Sequence, residues 1–176
     1  MEDYKDDIII NTEKSNKAGE NTSEGITIEK DLKPYIHQAK YYETDQMAVV
    51  HHSNYIRWFE EARVDFLEQI GLGYDKIEAA GVYSPVLGVS CEYKSSVRFN
   101  ENVIITAKLK FFNGIKMKIE YQVLDAKTKQ IRAFGVSDHC FVTTSFKPVS
   151  LKKDYKDMYD LLIQWVGVEI SNIRDL

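Results

Sequence analysis

One stretch of the sequence, YYETDQMAVVHHSNYIRWFEEAR, places a lone aspartate, two histidines and the start of an amphipathic helix close together. Asp45 ends a segment over 35–44 that predicts a strand, and Ser53 or Asn54 is a good N-cap for the helix that follows. The chain therefore holds a carboxylate opposite a helix N-terminus, where free N–H groups can stabilise a developing oxyanion. Together these groups have the chemistry to hydrolyse an activated acyl compound such as a thioester.

Asp45 is the candidate for delivering water to an acyl carbon. As a general base it takes a proton from water, and as a nucleophile it forms a mixed anhydride that water then opens. The sequence favours neither route over the other. The structural alternative is that this carboxylate only caps a turn, as aspartate commonly does.

The spacing of five residues in this stretch resembles the signature of a known family. Tyr41, Asp45, Val50, His52 and Tyr55 follow the pattern Tyr-x-x-x-Asp-x-x-Gly-x-Val-x-His-x-x-Tyr of the 4-hydroxybenzoyl-CoA thioesterase family of hotdog-fold acyl-CoA thioesterases. The resemblance extends with falling strength over about residues 35–151.

Two positions depart from the family pattern. Ala48 stands where the family usually has glycine, and His51 stands where tyrosine is more common. Glycine reaches backbone angles that are costly for alanine, so a differently shaped turn is expected at Ala48. Neither departure removes a group that is capable of chemistry.

The resemblance implies a role for each residue of the signature. The backbone N–H at His52 is implied to face the thioester oxygen, while its ring positions water or the aspartate. Tyr41 is implied to hydrogen-bond Asp45 or to line the pocket. The implied substrate-binding residues are Val50, His51 and Tyr55, and the candidate cations for coenzyme A phosphates are Lys94, Arg98 and Lys147.

The resemblance also implies hydrolysis of an acyl-CoA thioester to a free acid and coenzyme A, without a metal or bound cofactor. Sites in this family form between paired subunits, so a homodimer or homotetramer is expected, with Asp45 of one subunit near the helix start of the other. Three alternatives stay open: an acyl-carrier-protein thioesterase, a non-catalytic acyl-CoA-binding hotdog protein and, less favoured, a hotdog hydratase or dehydratase.

Two carboxylates of the central helix are rivals to Asp45, because related hotdog thioesterases use an acid from that helix. Glu61 follows Arg57 by four residues, and Glu60 precedes Arg63 by three. Such spacing is typical of surface ion pairs, which is the simpler interpretation of both glutamates.

Composition places the chain among ordinary globular proteins. Its 176 residues suit one domain, with 27 acidic and 23 basic residues and a formal charge of −4. That balance offers no broad basic face for nucleic acid, and no apolar run reaches the ~20 residues of a membrane span. The polar, acidic start is unlike a signal peptide, so a cytoplasmic location with reduced cysteines is expected.

Hydrophobic periodicity predicts an α+β domain in which an antiparallel sheet of about five strands wraps a long central helix, the hotdog arrangement that the resemblance implies. The helix over 53–70 is apolar around most of its circumference, so it should be enclosed by the sheet. The predicted domain covers 32–150, after a flexible acidic arm over 1–31 and before a C-terminal segment over 151–176. The other predicted elements are strands over 82–97, 103–112, 115–123 and 131–144, a short helix over 74–80 and an amphipathic helix over 151–168.

Overall fold

The computed structural model describes residues 32–170, so the predicted arm over 1–31 and the segment 171–176 lie outside the described residues. The secondary-structure elements, in chain order, are β1 (Tyr35–Gln38), α1 (Ser53–Gln69), α2 (Tyr74–Ala79), β2 (Val82–Tyr83), β3 (Val86–Tyr93), β4 (Asn102–Phe112), β5 (Lys116–Asp125), β6 (Ile131–Cys140), β7 (Val142–Thr143), α3 (Leu151–Asp154) and α4 (Lys156–Ile163).

The main sheet has five strands in the order β1-β4-β5-β6-β3, and every neighbouring pair is antiparallel. One face of this sheet packs on α1. The helix buries Tyr55, Trp58, Phe59, Ala62, Phe66 and Leu67, whereas Ile56 is exposed, so the sheet does not enclose the helix on every side as predicted. The predicted α+β architecture is nevertheless confirmed. Within residues 32–170, no helix is long and apolar enough to cross a membrane.

The first predicted strand is too long. Strand β1 ends at Gln38, and the chain then forms a 3₁₀ turn over Tyr41–Glu43. The turn closes because the Lys40 N–H donates to the Glu43 carboxylate, while the Glu43 N–H donates to the Lys40 carbonyl. The Glu43 side chain thus binds the Lys40 N–H, a backbone donor that would pair with a neighbouring strand if β1 continued.

Strict alternation also fails along β4. Its pairing with β5 shifts register between Leu109 and Phe111, so Phe111 is exposed and Phe112 is buried instead. Such a bulge places an extra residue on one strand and reverses the side-chain faces beyond it. Ile115 likewise lies exposed in the hairpin loop, before β5 begins.

The predicted C-terminal helix is two short helices, α3 and α4. Tyr155 separates them with φ −142° and ψ 63°, which lies outside the helical region. Leu151 in α3 and Leu162 in α4 are both fully buried, and Trp165 is buried just beyond α4. These three side chains pack into the hydrophobic core.

A close approach between α1 and the sheet occurs at Gly135 of β6. A Cβ built at Gly135 would lie 2.3 Å from the ring of Phe59. That ring stacks on Tyr121 of β5, with 4.6 Å between the ring centroids. The missing side chain of Gly135 therefore lets the helix sit deep against the middle of the sheet.

Replacing Gly135 with alanine should reduce the free energy of unfolding by about 1–3 kcal/mol, because an added methyl group must displace a packed aromatic ring. Urea denaturation measures the change. Gly88→Ala is the matched control, since a Cβ there meets nothing within 4 Å. Equal stability of the two variants would contradict the close approach.

Candidate active site

Asp45 lies in a tight turn between Thr44 and Val50, which form an isolated antiparallel bridge. The Met47 N–H donates to Oδ1 of Asp45 at 2.8 Å, and the Asp45 carbonyl accepts from the Ala48 N–H at 2.9 Å. The carboxylate therefore caps its own turn with one oxygen. Its Oδ2 has no hydrogen-bond partner among residues 32–170, so this oxygen is free to accept a proton.

Ala48 adopts φ +58°, a left-handed conformation that glycine enters without steric cost. The turn thus has the left-handed backbone that glycine favours, although the sequence has alanine. Keeping an alanine there costs roughly 1–2 kcal/mol. The expectation of a differently shaped turn at this position is not supported.

The carboxylate of Glu43, two residues before Asp45, is buried and receives three donors. It accepts from the Lys40 N–H at 2.6 Å and from Trp58 Nε1 at 2.8 Å, and His37 Nε2 lies 3.1 Å from it. Burial opposes ionisation, but these hydrogen bonds outweigh it and hold the pKa of Glu43 below its usual value. Glu43 is therefore a buried anion at neutral pH.

The backbone carbonyl of Glu43 makes a second set of contacts. It accepts from the His51 N–H at 2.8 Å and from the Asn54 side-chain amide at 2.8 Å. One residue thus joins β1, the 3₁₀ turn and the start of α1. These contacts fix Asp45 relative to the helix N-terminus.

Helix α1 begins at Ser53 with His52 at the N-cap, so neither Ser53 nor Asn54 is the cap. The Ser53 hydroxyl lies 2.8 Å from His51 Nδ1, and the Asn54 side-chain amide donates to the Glu43 carbonyl. The His52 carbonyl accepts the hydroxyl of Tyr93 at 3.0 Å. This bond ties the helix start to the end of β3.

Four of the predicted site residues share one cavity of about 290 Å³. It is lined by Asp45, Val50, His52 and Tyr55, together with Met47, Val49, Tyr93, Lys94, Ser95 and Ser96. The structure therefore brings the carboxylate and the helix start to one space. That space therefore lies between a carboxylate and the N-terminus of a helix, where the helix dipole favours negative charge.

Two predicted site residues lie elsewhere. Tyr41 is 78% exposed, and its ring meets Phe99 edge-on at 5.6 Å; it makes no hydrogen bond to Asp45. The 3₁₀ turn, which replaces the predicted strand, carries this side chain outward. His51 does not line the cavity, because its ring bonds to Ser53 and packs on the His52 ring at 4.0 Å.

The sequence reasoning did not select Tyr93, Ser95 or Ser96, which also line the cavity. Tyr93 ends β3 and the two serines follow it, far along the chain from Asp45. Their only local signal is a polar cluster after an apolar strand. Burial raises the pKa of Tyr93 to about 12, with Cys91 adding to the effect. Tyr93 is therefore a neutral hydroxyl donor at neutral pH.

The rival glutamates of α1 have other partners. Glu61 receives the Tyr35 hydroxyl at 3.1 Å and lies 3.4 Å from His37 Nδ1, so the predicted pairing with Arg57 is wrong. Glu60 does lie 3.8 Å from Arg63, as predicted, but Arg63 is buried and is not a surface residue. Neither glutamate lines the cavity of Asp45.

A larger hollow of about 860 Å³ lies at the other end of α1, bordered by Leu32, Tyr35, Gln69 and Trp165. It contains none of the predicted site residues. No cluster of three or more potential metal ligands occurs within residues 32–170. The cavity of Asp45 is therefore the candidate active site.

The chain is similar in sequence to several known proteins. Residues 40–158 match the family model described as the thioesterase-like superfamily. The putative acyl-CoA thioesterase YneP of Bacillus subtilis is 32% identical over 123 residues, which cover 69% of this chain and 88% of that protein. A putative esterase of Aquifex aeolicus is 35% identical over 127 residues, covering 68% of this chain and 91% of that protein.

A solved structure gives the same result at the level of the fold. The DHNA-CoA thioesterase of Staphylococcus aureus superposes with a TM-score of 0.71 at 26% identity, covering 75% of this chain and 89% of that one. The predicted hotdog fold is confirmed by this likeness.

Replacing Glu43 with glutamine should reduce the free energy of unfolding at neutral pH by about 2 kcal/mol. The NH₂ group of the glutamine side chain would face the buried donors that now bind the carboxylate, so one of these groups would lose its hydrogen bond. The folded-state pKa of Glu43 lies below its ordinary value of 4.5. Its stabilisation is therefore complete above that pH and is lost as the pH falls through the folded-state pKa. The difference between variant and wild type should shrink below pH 4.5.

Urea denaturation across a pH series measures this effect. The matched control is Glu68→Gln, since Glu68 lies exposed on α1. A Glu43→Gln variant that is no less stable than this control would show that the buried carboxylate does not hold the turn.

Proposed function

The chain belongs to the thioesterase-like superfamily, and from that membership we propose that it hydrolyses acyl-CoA thioesters to a free acid and coenzyme A. The relative YneP is named a putative acyl-CoA thioesterase, and the DHNA-CoA thioesterase shares the fold. These names agree with the predicted class of enzyme, a thioester hydrolase.

The observation that carries the proposal is the pairing of Asp45 with the start of α1 in one cavity. Asp45 keeps one carboxylate oxygen unpaired, while Met47 holds the other. The backbone at His52 opens the helix, where the partial positive charge of the helix dipole is concentrated. A base and an oxyanion site are the two groups that thioester hydrolysis needs.

In the proposed reaction Asp45 takes a proton from water as the oxygen of that water bonds to the thioester carbon. The carbonyl oxygen becomes an oxyanion, which the N–H groups at the start of α1 stabilise. The carbon–sulfur bond then breaks, and the leaving thiolate of coenzyme A takes up a proton. In the alternative route Asp45 itself bonds to the carbon and expels the thiolate, and water opens the resulting anhydride.

Single-turnover hydrolysis in ¹⁸O-labelled water detects an anhydride that water opens at the aspartyl carbon. Direct attack by water leaves Asp45 unlabelled, whereas hydrolysis of an anhydride at the aspartyl carbon transfers label to the side chain. Both routes use only groups of the chain and water. We therefore propose that the reaction needs no metal or cofactor, so that EDTA should leave turnover unchanged.

Lys94 is the cation nearest to this chemistry, because it lines the candidate active site. Its ammonium pairs with Glu92 and lies 5.8 Å from the centre of the Phe134 ring. We propose that Lys94 contacts the phosphates of coenzyme A, as its position at the rim would allow.

We also propose that the protein acts as a homodimer or larger even assembly formed through β3. This strand is an edge of the main sheet, and an edge presents unpaired backbone groups that invite another strand. It also exposes large apolar side chains, which are Val86, Leu87, Val89 and Tyr93. A two-fold pairing of β3 with the same strand of a second copy would cover these groups.

Replacing Asp45 with asparagine should reduce kcat by at least about a hundredfold, since the variant loses the group that accepts the proton. Thiol release from short, medium, long and aromatic acyl-CoAs measures turnover. Asp157→Asn, an exposed substitution on α4, is the matched control. Circular dichroism verifies that both variants stay folded.

The possible outcomes separate the alternatives. If the Asp45→Asn variant keeps its turnover, the catalytic carboxylate would instead be Glu60 or Glu61. Tight binding of acyl-CoA without thiol release in the wild type would favour a non-catalytic binding protein. Release only from acyl-carrier-protein thioesters would favour a carrier-protein thioesterase.

Replacing Val89 with glutamate should halve the mass of the assembly or reduce it further, because pairing would bury an unpaired charge. Size-exclusion chromatography with light scattering measures the mass. Ile36→Glu is the matched control, as Ile36 is also exposed and lies on the opposite edge strand, β1. A monomeric wild type, or a Val89→Glu variant of unchanged mass, would refute assembly through β3.

A further inference from the structure

Two separate cavities lie along α1 and β3, the candidate active site and a smaller one beside Arg63. At the first, Tyr93 bonds to the His52 carbonyl and packs on Tyr55, with ring centroids 5.1 Å apart. At the second, Val86, near the start of β3, shares the lining with Arg63 of α1. Since an α-helix rises 1.5 Å per residue, His52 and Arg63 are separated by about 16 Å along the helix axis.

The smaller cavity has a volume of about 60 Å³, enough for a small polar group. Its apolar lining consists of Ile56, Phe59, Val86 and Val89, and its polar lining consists of Glu60, Arg63, Tyr121, Ser137 and His139. The remote end of an acyl chain that lay along α1 and β3 would meet apolar side chains and hydrogen-bonding groups there.

Arg63 is the most unusual group in the smaller cavity. It is only 4% exposed, and its Nη1 has no hydrogen-bond partner. Its Nη2 lies 3.8 Å from Glu60, and its guanidinium lies 5.3 Å from the centre of the Tyr74 ring. A buried cation with an unpaired donor is costly, so an acceptor brought in by a ligand would be strongly favoured.

The other polar groups in this cavity form a short chain of hydrogen bonds. His139 Nε2 lies 2.7 Å from the Ser137 hydroxyl, which lies 2.8 Å from the Tyr121 hydroxyl. Burial and then the charge of Arg63 lower the pKa of His139 to about 4. The ring is therefore neutral at neutral pH, so these three groups can adjust their protons to a ligand oxygen beside Arg63.

We infer that the acyl group of the substrate carries a hydrogen-bond-accepting oxygen, a hydroxyl or a carboxylate, at the end remote from the thioester, and that Arg63 binds it. This inference rests on the proposed function for the position of the thioester. Both His52 and Arg63 lie on α1, so their separation does not depend on how subunits pair. Long helical side chains lean toward the helix N-terminus, which turns Arg63 toward the thioester.

Binding to the Asp45→Asn variant tests the inference without loss of ligand through hydrolysis. Isothermal titration calorimetry compares hexanoyl-, octanoyl- and decanoyl-CoA with their ω-hydroxy and ω-carboxy counterparts. For at least one length the oxygenated ligand should bind at least about tenfold more tightly, because the plain chain leaves Arg63 unpaired. A preference for ω-carboxy over ω-hydroxy ligands would identify an anion as the group that is bound.

Arg63→Met in the same background should reduce that preference to about onefold, since methionine fills similar space without donors. The matched control is Arg57→Met, an exposed arginine on the same helix, which should keep the full preference. Ser137→Ala, which removes one hydroxyl from the hydrogen-bond chain, should weaken the preference and serves as the second variant if Arg63→Met does not fold.

The outcomes distinguish this inference from the proposed function. Equal binding of plain and oxygenated ligands at every length would overturn the inference, and thiol release from plain acyl-CoA by the wild type would still support the thioesterase. A preference that depends on Arg63, without thiol release from any ligand, would support the polar subsite and refute the hydrolase. A preference that persists in Arg63→Met would also overturn the inference.

Discussion

The buried carboxylate of Glu43 is the interaction on which the candidate site depends. A charge in the interior is tolerated only when hydrogen bonds replace the water it has lost, and here a backbone N–H, an indole and an imidazole do so. Those donors belong to the 3₁₀ turn, to α1 and to β1. Because one anion requires all three elements at once, Asp45 two residues later has little freedom to move relative to the helix start.

Much of the fold could be predicted because its elements follow simple periods. The apolar spacing of α1 identified its buried face, and the strands predicted over 103–112 and 115–123 correspond to β4 and β5. The position of Asp45 opposite the helix start followed from the order of strand, turn and helix. These features are local, so a short window of sequence contains the information that determines them.

The remaining features depend on contacts between distant parts of the chain. An acid at the position of Glu43 usually indicates an exposed side chain, and only packing shows that Trp58 bonds to it. Tyr93 reaches the His52 carbonyl across a gap of 41 residues. Arg63 has the spacing of a surface ion pair but is buried by the sheet. None of these contacts leaves a periodic signal in the sequence.

The left-handed Ala48 has a consequence for the dynamics of the turn that carries Asp45. Glycine at this position would give the unfolded chain more conformations, and alanine removes some of that freedom, worth about 0.4–1 kcal/mol. This gain offsets only part of the strain of φ +58° in the folded protein. Once the turn opens, alanine favours the right-handed region and must cross a barrier to return. The turn should therefore open more readily than a turn with glycine and close more slowly, which lengthens the time that Asp45 spends out of position.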